Sequence, residues 1–312
     1  MDVADKIEAS VIIATRNRAG ALQKTLHSLA SQDLRDVEWE LFVVDNGSAD
    51  DTQDVIAAAR ETLPIVPLIQ PVPGKNRALN TALPRVHGHL VIFTDDDVRV
   101  SEGWLKEHLA AARRWPSDVV FGGPVKPRFP PGTPAWMSDP GFPFSVMAFA
   151  RYEPEQPEGP ISAPPFGPNL SLRRSVFENH RFNEGVGPDG TQNYKMGSES
   201  ELLLRLASDG HRFIYVPNAS VDHVITQNQT DVAWLVRRAS RAGRQAAVIA
   251  AEFDGVKIKG VPRYLWRMLA TDMLRVAMSV FATAETRCVR RMELSKTWAM
   301  VKEIMRRRAS TS

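Results

Sequence analysis

The chain has 312 residues, 43% apolar and 24% charged, an ordinary globular composition with room for one large α/β domain or two modest ones. A single cysteine, Cys288, rules out an internal disulfide and fits a reducing compartment. The acidic start Met1-Asp2-Val3-Ala4-Asp5 is no secretory signal, and no apolar run approaches the roughly 18 residues of a spanning helix. The formal net charge of +3 is unevenly spread, with 17 Lys+Arg against 7 Asp+Glu from Asp231 onward and 22 against 29 before it. An acidic front and a basic tail suggest an anionic partner for the tail: membrane surface, phospholipid or nucleic acid.

In chain order, residues 10–14 predict a first strand, Thr15-Arg16-Asn17-Arg18 a turn, and 19–29 a helix. Residues 40–44 predict a second strand running into Asp45-Asn46-Gly47-Ser48, then a helix over 50–62 that Ser48 or Asp50 can cap. A short strand at 65–69 and a short helix at 75–83 follow. The fourth strand, 89–93, runs straight into Asp95-Asp96-Asp97, with a helix over about 102–115 and a fifth strand at 119–121 behind it. Alternation at this spacing means a doubly wound, mostly parallel sheet.

Between Pro124 and Pro168 lie 13 of the 22 prolines, which predicts a long irregular excursion. Regular signals return at 166–174, followed by a glycine-rich loop at 185–190, a helix over 198–208 and a strand at 212–216. The first 229 residues thus read as one domain and 230–312 as a helical tail. The tail predicts helices over about 231–253, from Pro262, and over about 291–308. Arg237, Arg241 and Arg244 share one stripe of the first. In the second, Leu265, Leu269, Met273, Val276 and Val280 share a face opposite Arg263, Arg267 and Arg275.

The triple aspartate carries the chemistry. Two carboxylates about 4 Å apart repel by roughly 4 kcal/mol at an effective dielectric near 20, and a divalent cation removes that cost. Hard oxygen ligands suit Mg²⁺ or Mn²⁺ together with substrate phosphates, and the C-terminal edge of a parallel sheet is where α/β proteins bind ligands. A solvated acidic loop capping the next helix is the plainer alternative. Asp45, at the end of the second strand, can accept hydrogen bonds from a nucleobase or ribose, or simply build its turn. Lys75 and Arg77 bring two cations to a helix start, which already favours anions; this is no P-loop, because the spacing is wrong. Glu199 and Glu201, two apart on a helix, diverge by about 200°, so at most one of them faces a pocket as a general base. His223 after the last strand is weak evidence alone.

As an ordered set, these segments resemble glycosyltransferase family 2 with its GT-A fold, from about Ser10 to His223. The opening strand with Thr15 and Arg16, then Val44-Asp45-Asn46-Gly47-Ser48, the stretch around Arg77, Thr94-Asp95-Asp96-Asp97, Gly167-Pro168-Asn169-Leu170 and Gly197-Ser198-Glu199-Ser200-Glu201 follow the family's motif order. The resemblance implies donor contacts from Thr15, Arg16, Asp45, Lys75, Arg77, Asp95, Asp96 and Asn169. It implies a divalent metal, Mn²⁺ or Mg²⁺, on Asp97 and His223. It implies Glu199 as catalytic base, with Glu201 as runner-up beside Gly167 on the acceptor side. The acidic motif departs from the usual Glu-Asp pair, and the Lys75–Asn80 segment from its usual spelling.

The implied activity is inverting transfer from a nucleotide-diphosphate sugar, most commonly a UDP-sugar, to a hydroxyl of a glycan or lipid-linked acceptor. The tail would then rest on anionic lipid at the inner, cytoplasmic face of the membrane. Two other readings are a sugar-phosphate nucleotidyltransferase, against which the loop after the first strand counts, and a non-catalytic nucleotide- or glycan-binding protein. Nucleic acid is not an expected partner, because the tail's arginine stripes carry few interleaved aromatics.

Overall fold

The computed structural model describes residues 6–191, 193–251 and 253–309; the acidic N-terminal stretch lies outside them. The first half alternates as expected: β1 (Ala9–Thr15), α1 (Ala19–Ala30), β2 (Trp39–Asp45), α2 (Thr52–Ala59), β3 (Ile65–Ile69), α3 (Lys75–Ala82), β4 (Leu90–Asp95), β5 (Val98–Val100), α4 (Trp104–Arg114), β6 (Val120–Gly122) and β7 (Val125–Arg128). The proline-rich stretch is less irregular than its composition predicts. It forms the short helices α5 (Ala135–Ser138) and α6 (Ser145–Phe149), and strand β8 (Gly159–Ile161). Then come β9 (Leu170–Arg173), α7 (Val176–Asn179), α8 (Ser198–Ser208), β10 (Phe213–Tyr215) and β11 (Val221–Val224). The tail contains α9 (Val232–Ala251), a small hairpin of β12 (Lys257–Ile258) and β13 (Val261–Pro262), α10 (Arg263–Met278) and α11 (Ala284–Ala309). The last helix starts seven residues before the expected Arg291, because Ala284 to Arg290 contains no breaker to stop it.

The main sheet has the order β3-β2-β1-β4-β9-β6-β10-β8. Its β1, β2, β3 and β4 pair in parallel, whereas β9 lies antiparallel between β4 and β6. The continuous apolar runs of β1, β2 and β4 follow from burial on both faces. Val11, Ile13, Leu41, Val43, Leu90 and Ile92 enter one core layer with α1 and α4. Ile12, Phe42, Val44, Val91 and Phe93 enter the other with α3 and α8. A second sheet, β5-β11-β7, sets His223 against Val98 and so beside the end of the triple aspartate.

The chain forms two compact units. One comprises residues 1–128, 150–190 and 198–224; the other comprises 129–149, 191–197 and 225–312. A single boundary at 229/230 therefore omits two earlier segments that belong with the helices. In the second unit Met137, Phe142, Ala148 and Phe149 share a core with Leu235, Ala239, Cys288 and Met292. The expected arginine stripe on α9 also serves this unit internally. Arg241 lies 4.7 Å over the ring of Tyr194, and Arg244 donates to Asn193 at 2.9 Å. On α10, Leu265 and Leu269 are buried but Met273 is exposed, and Val280 lies exposed in the turn beyond the helix, so the predicted apolar face is only half used for packing.

Candidate active site

The carboxyl ends of β1, β2 and β4 lie side by side: Thr15 is in register with Asp45, and Ala14 with Asp95. This is the edge where parallel sheets present ligand-binding groups. Asp96 and Asp97 are buried there, and a cation from the β1 turn holds both. Arg18 reaches Asp96 at 2.9 Å and Asp97 Oδ2 at 2.6 Å. Thr15 Oγ1 donates to Asp96 at 2.7 Å, and His223 Nε2 lies 3.5 Å from Asp97 Oδ2. Burial pushes the Asp96 carboxyl up, more than Arg18 pulls it down. Burial acts on Asp97 in the same sense, but His223 and Arg18 outweigh it and hold that carboxyl below the usual range.

Asp97 Oδ1 is buried without a hydrogen-bond partner. An orphaned carboxylate oxygen is the expected mark of a cation position, because leaving it bare costs free energy. Among the described residues no group of three or more His, Cys, Asp or Glu side chains is arranged to hold a metal ion. Mg²⁺ and Mn²⁺ sites that use substrate phosphates need only one or two protein carboxylates. Asp97, with His223 beside it, is compatible with a site of that kind.

A second cation stands beside the first. Lys75, first residue of α3, places Nζ 2.6 Å from Asp95 and 2.7 Å from Glu199 Oε1. Burial works against its ammonium, but the two carboxylates outweigh that and raise its pKa. Glu199 is also pressed against Gly167, where a Cβ would come within 2.3 Å of its carboxyl carbon. Glu201 points its chemistry elsewhere: both oxygens bind Arg205, each at 3.0 Å, one turn along α8. The divergence expected of two residues on one helix thus brings Glu199 alone to the cluster.

The other predicted residues divide. Arg16 lies close to Gly190 and Pro73, with Nε buried and unpartnered. Asp45 accepts the Ser48 backbone N–H at 2.9 Å on one oxygen and contacts Gln53 through the other, which leaves acceptor capacity on each. Arg77 pairs with Glu184 at 3.2 Å. Thr15 donates to one oxygen of Asp96, and Arg18 pairs with the other. Asn169 corrects the expectation of a donor contact. It is fully buried; its Oδ1 accepts from Trp104 and pairs with His108, and its Nδ2 donates to the carbonyls of Pro124 and Ala219. All four amide positions are taken, so its role is to hold the loop.

Sequence reasoning missed Arg18 as a partner of the aspartates. It also missed Asn46, which donates to the Gln70 and Val72 carbonyls and accepts from Gly74 N–H at 2.6 Å, tying the end of β2 to the start of α3. For Asn46 the signal is a polar residue directly after a buried strand; Arg18 lies three residues beyond β1 and carries no such signal. A shallow cleft of about 810 Å³ lies elsewhere, lined by Lys24, His27, Arg99 and Glu102 among others. It contains none of the converging carboxylates, and that charge convergence makes the strand ends the candidate site.

Residues 10–181 match the family described as Glycosyl transferase family 2. The chain belongs to this family. Over 240 residues it is 26% identical to the succinoglycan biosynthesis protein ExoM of Rhizobium meliloti strain 1021, spanning 75% of this chain and 73% of that one. Its fold is similar to the mannosyltransferase PcManGT of Pyrobaculum calidifontis, with TM-score 0.61, 22% identity, and 95% and 86% of the two chains covered. It is also similar to residues 1–349 of S. aureus TarS in complex with UDP, with TM-score 0.51, 17% identity, and 98% and 92% covered. The chain is thus a glycosyltransferase of GT-A type. No described helix is long and apolar enough to cross a membrane.

Proposed function

We propose that this glycosyltransferase is metal-dependent and inverting, and moves a sugar from a nucleotide-diphosphate sugar to a hydroxyl of a glycan or lipid-linked acceptor in polysaccharide or glycolipid synthesis. One observation carries the reading: a single ammonium, Lys75 Nζ, joins Glu199 to Asp95, setting the Glu199 carboxylate next to the end of β4. Arg16, with its unpartnered buried Nε, and Lys75 supply positive charge for a diphosphate. Asp45 has acceptor positions left for the base or ribose. Asp97 and His223 would hold Mn²⁺ or Mg²⁺, which when bound neutralises negative charge on the leaving diphosphate. Glu199 takes the proton of the acceptor hydroxyl as that oxygen attacks the anomeric carbon from the side opposite the diphosphate. A single displacement of this kind inverts the configuration. Lys75, held between Asp95 and Glu199, fixes where the base points.

The PcManGT structure holds GDP-Man and Mn²⁺, and the TarS structure holds UDP. Both UDP- and GDP-sugars therefore belong in the donor panel, UDP-sugars first. The basic helical unit supports peripheral contact with an anionic membrane, as a cytoplasmic enzyme at the inner face. Turnover of that panel with Mn²⁺, for wild type and Glu199→Gln, tests the catalytic reading. The variant should lose about 10²–10⁴ in rate while nucleotide still raises its melting temperature. Undiminished turnover would give the base role to another group, and retention of anomeric configuration would exclude the single displacement.

A further inference from the structure

Helix α10 buries only a narrow stripe. Leu265, Leu269 and Asp272 are buried, and Asp272 accepts a hydrogen bond from Thr297 of α11 at 2.7 Å. At about 100° per residue these three span some 60° of the helix. The opposite side carries Arg263, Leu274, Arg267 and Met278 within a similar arc. Leu274 is 59% exposed and Met278 67%. The turn that follows adds Val280 at 63% and Phe281 at 100%. A soluble surface has no use for a wholly exposed phenylalanine beside two exposed aliphatic side chains.

Charge identifies what covers this edge. The exposed face of α10 offers arginines and no acid, because the helix's one carboxylate, Asp272, is turned inward to Thr297 and lies 3.8 Å from Arg275. Two copies meeting across a twofold axis would set this arginine-bearing face against the same face, a like-charge contact. An anionic bilayer meets both needs. Its headgroup phosphates take the guanidinium groups, whose stems lie along the apolar boundary, while the acyl region takes the aromatic and aliphatic tips.

We infer that the outer face of α10 and the turn at 279–283 form a lipid-docking edge for anionic membrane, with Phe281 as its inserting side chain. This deepens the peripheral-membrane part of the reading above, and its test needs neither donor nor turnover, so the two fail separately. The full chain is sedimented with phosphatidylcholine vesicles, and with vesicles in which phosphatidylglycerol makes up a third of the lipid. Binding is expected only to the second, weakening as salt rises. Phe281→Glu, and separately the pair Arg263→Glu with Arg267→Glu, should each lower it about tenfold or more while leaving the melting temperature unchanged, since all three side chains are exposed. Failure of the wild type to bind anionic vesicles overturns the inference, as does undiminished binding in both variants. A wild-type dimer that Phe281→Glu turns into a monomer would assign the edge to a second copy instead.

Discussion

A guanidinium between two buried aspartates sets the charge balance at the end of β4. Arg18 pairs with both Asp96 and Asp97, where the bare sequence offers a metal or a solvated acidic loop, and it still leaves Asp97 Oδ1 without a partner. Removing one member of a buried ion pair strands the other charge and typically costs several kcal/mol. Here the guanidinium is 38% exposed, so solvent screening brings the expected loss for Arg18→Ala to about 2 kcal/mol. The stranded carboxylates should then take Mn²⁺ more readily, so Mn²⁺ should raise the variant's melting temperature more than the wild type's. Equal shifts in thermal unfolding would show that no cation competes for this position. Gly167→Ala acts on the other cation. Its Cβ would overlap the Glu199 carboxyl and push the proposed base away from Lys75. Turnover should fall about 10²-fold with little change in nucleotide affinity, measured by steady-state kinetics beside a thermal shift. Asp97, Lys75 and Glu199 stood out as candidates in the sequence because each sits near a strand end or a helix start, on the edge where parallel sheets present ligand-binding groups. Arg18 was not, because its partners lie some eighty positions away. Asn169 misled because an amide in a glycine-proline loop looks available for ligand, and sequence alone does not reveal that it is buried with every hydrogen bond made.

At the scale of elements, α4 and β9 are joined through that amide. His108 of α4 lies 3.0 Å from Asn169 Oδ1 through Nε2, and Ser171 of β9 lies 2.9 Å from its Nδ1. A neutral ring that donates from Nε2 and accepts at Nδ1 satisfies both contacts. Burial lowers the imidazole's pKa from 6.5 to about 4, only partly offset by Asn169. Between these values the unfolded chain takes up a proton that the folded chain refuses, so stability drops as pH falls from about 6.5 to about 4. The full penalty is on the order of 3 kcal/mol. His108→Gln keeps a donor and an acceptor but cannot be protonated. Urea unfolding of both proteins at pH 7.5 and at pH 5 should show a smaller acid loss in the variant, and equal losses would place the proton uptake elsewhere. The strands that carry this arrangement were easy to anticipate, since β1, β2 and β4 are apolar runs with few alternatives. The antiparallel insertion of β9 between β4 and β6 was not. Four residues of mixed polarity do not encode which neighbours they pair with, and the pairing is set by contacts far apart in the chain.

Across the whole molecule, the chain passes between its two compact units five times, at 128/129, 149/150, 190/191, 197/198 and 224/225. Composition pointed to one boundary near residue 229 because the basic helical character begins there. The proline-rich segment carries no charge or periodicity that would assign it to the tail. Its aromatic residues decide the matter in three dimensions: Phe142 and Phe149 pack with each other and with Leu235, Ala239 and Met292, all of them buried. A protein ending at residue 229 would keep Met137, Phe142 and Phe149 but lose the helices that cover them. Each large apolar side chain so exposed forfeits roughly 1.5–3 kcal/mol of burial, and three together are comparable with the 5–15 kcal/mol that holds a typical domain folded. Residues 1–229 alone should therefore aggregate, or remain soluble with strong binding of a hydrophobic dye and no sharp thermal transition. Co-expression with residues 230–312 should restore a sharp transition, because the missing half of that core is supplied in trans. A soluble, dye-negative and cooperatively melting 1–229 protein would show instead that segment 129–149 packs well enough without α9 and α11, and that the charge change near 229 does mark an independent domain end.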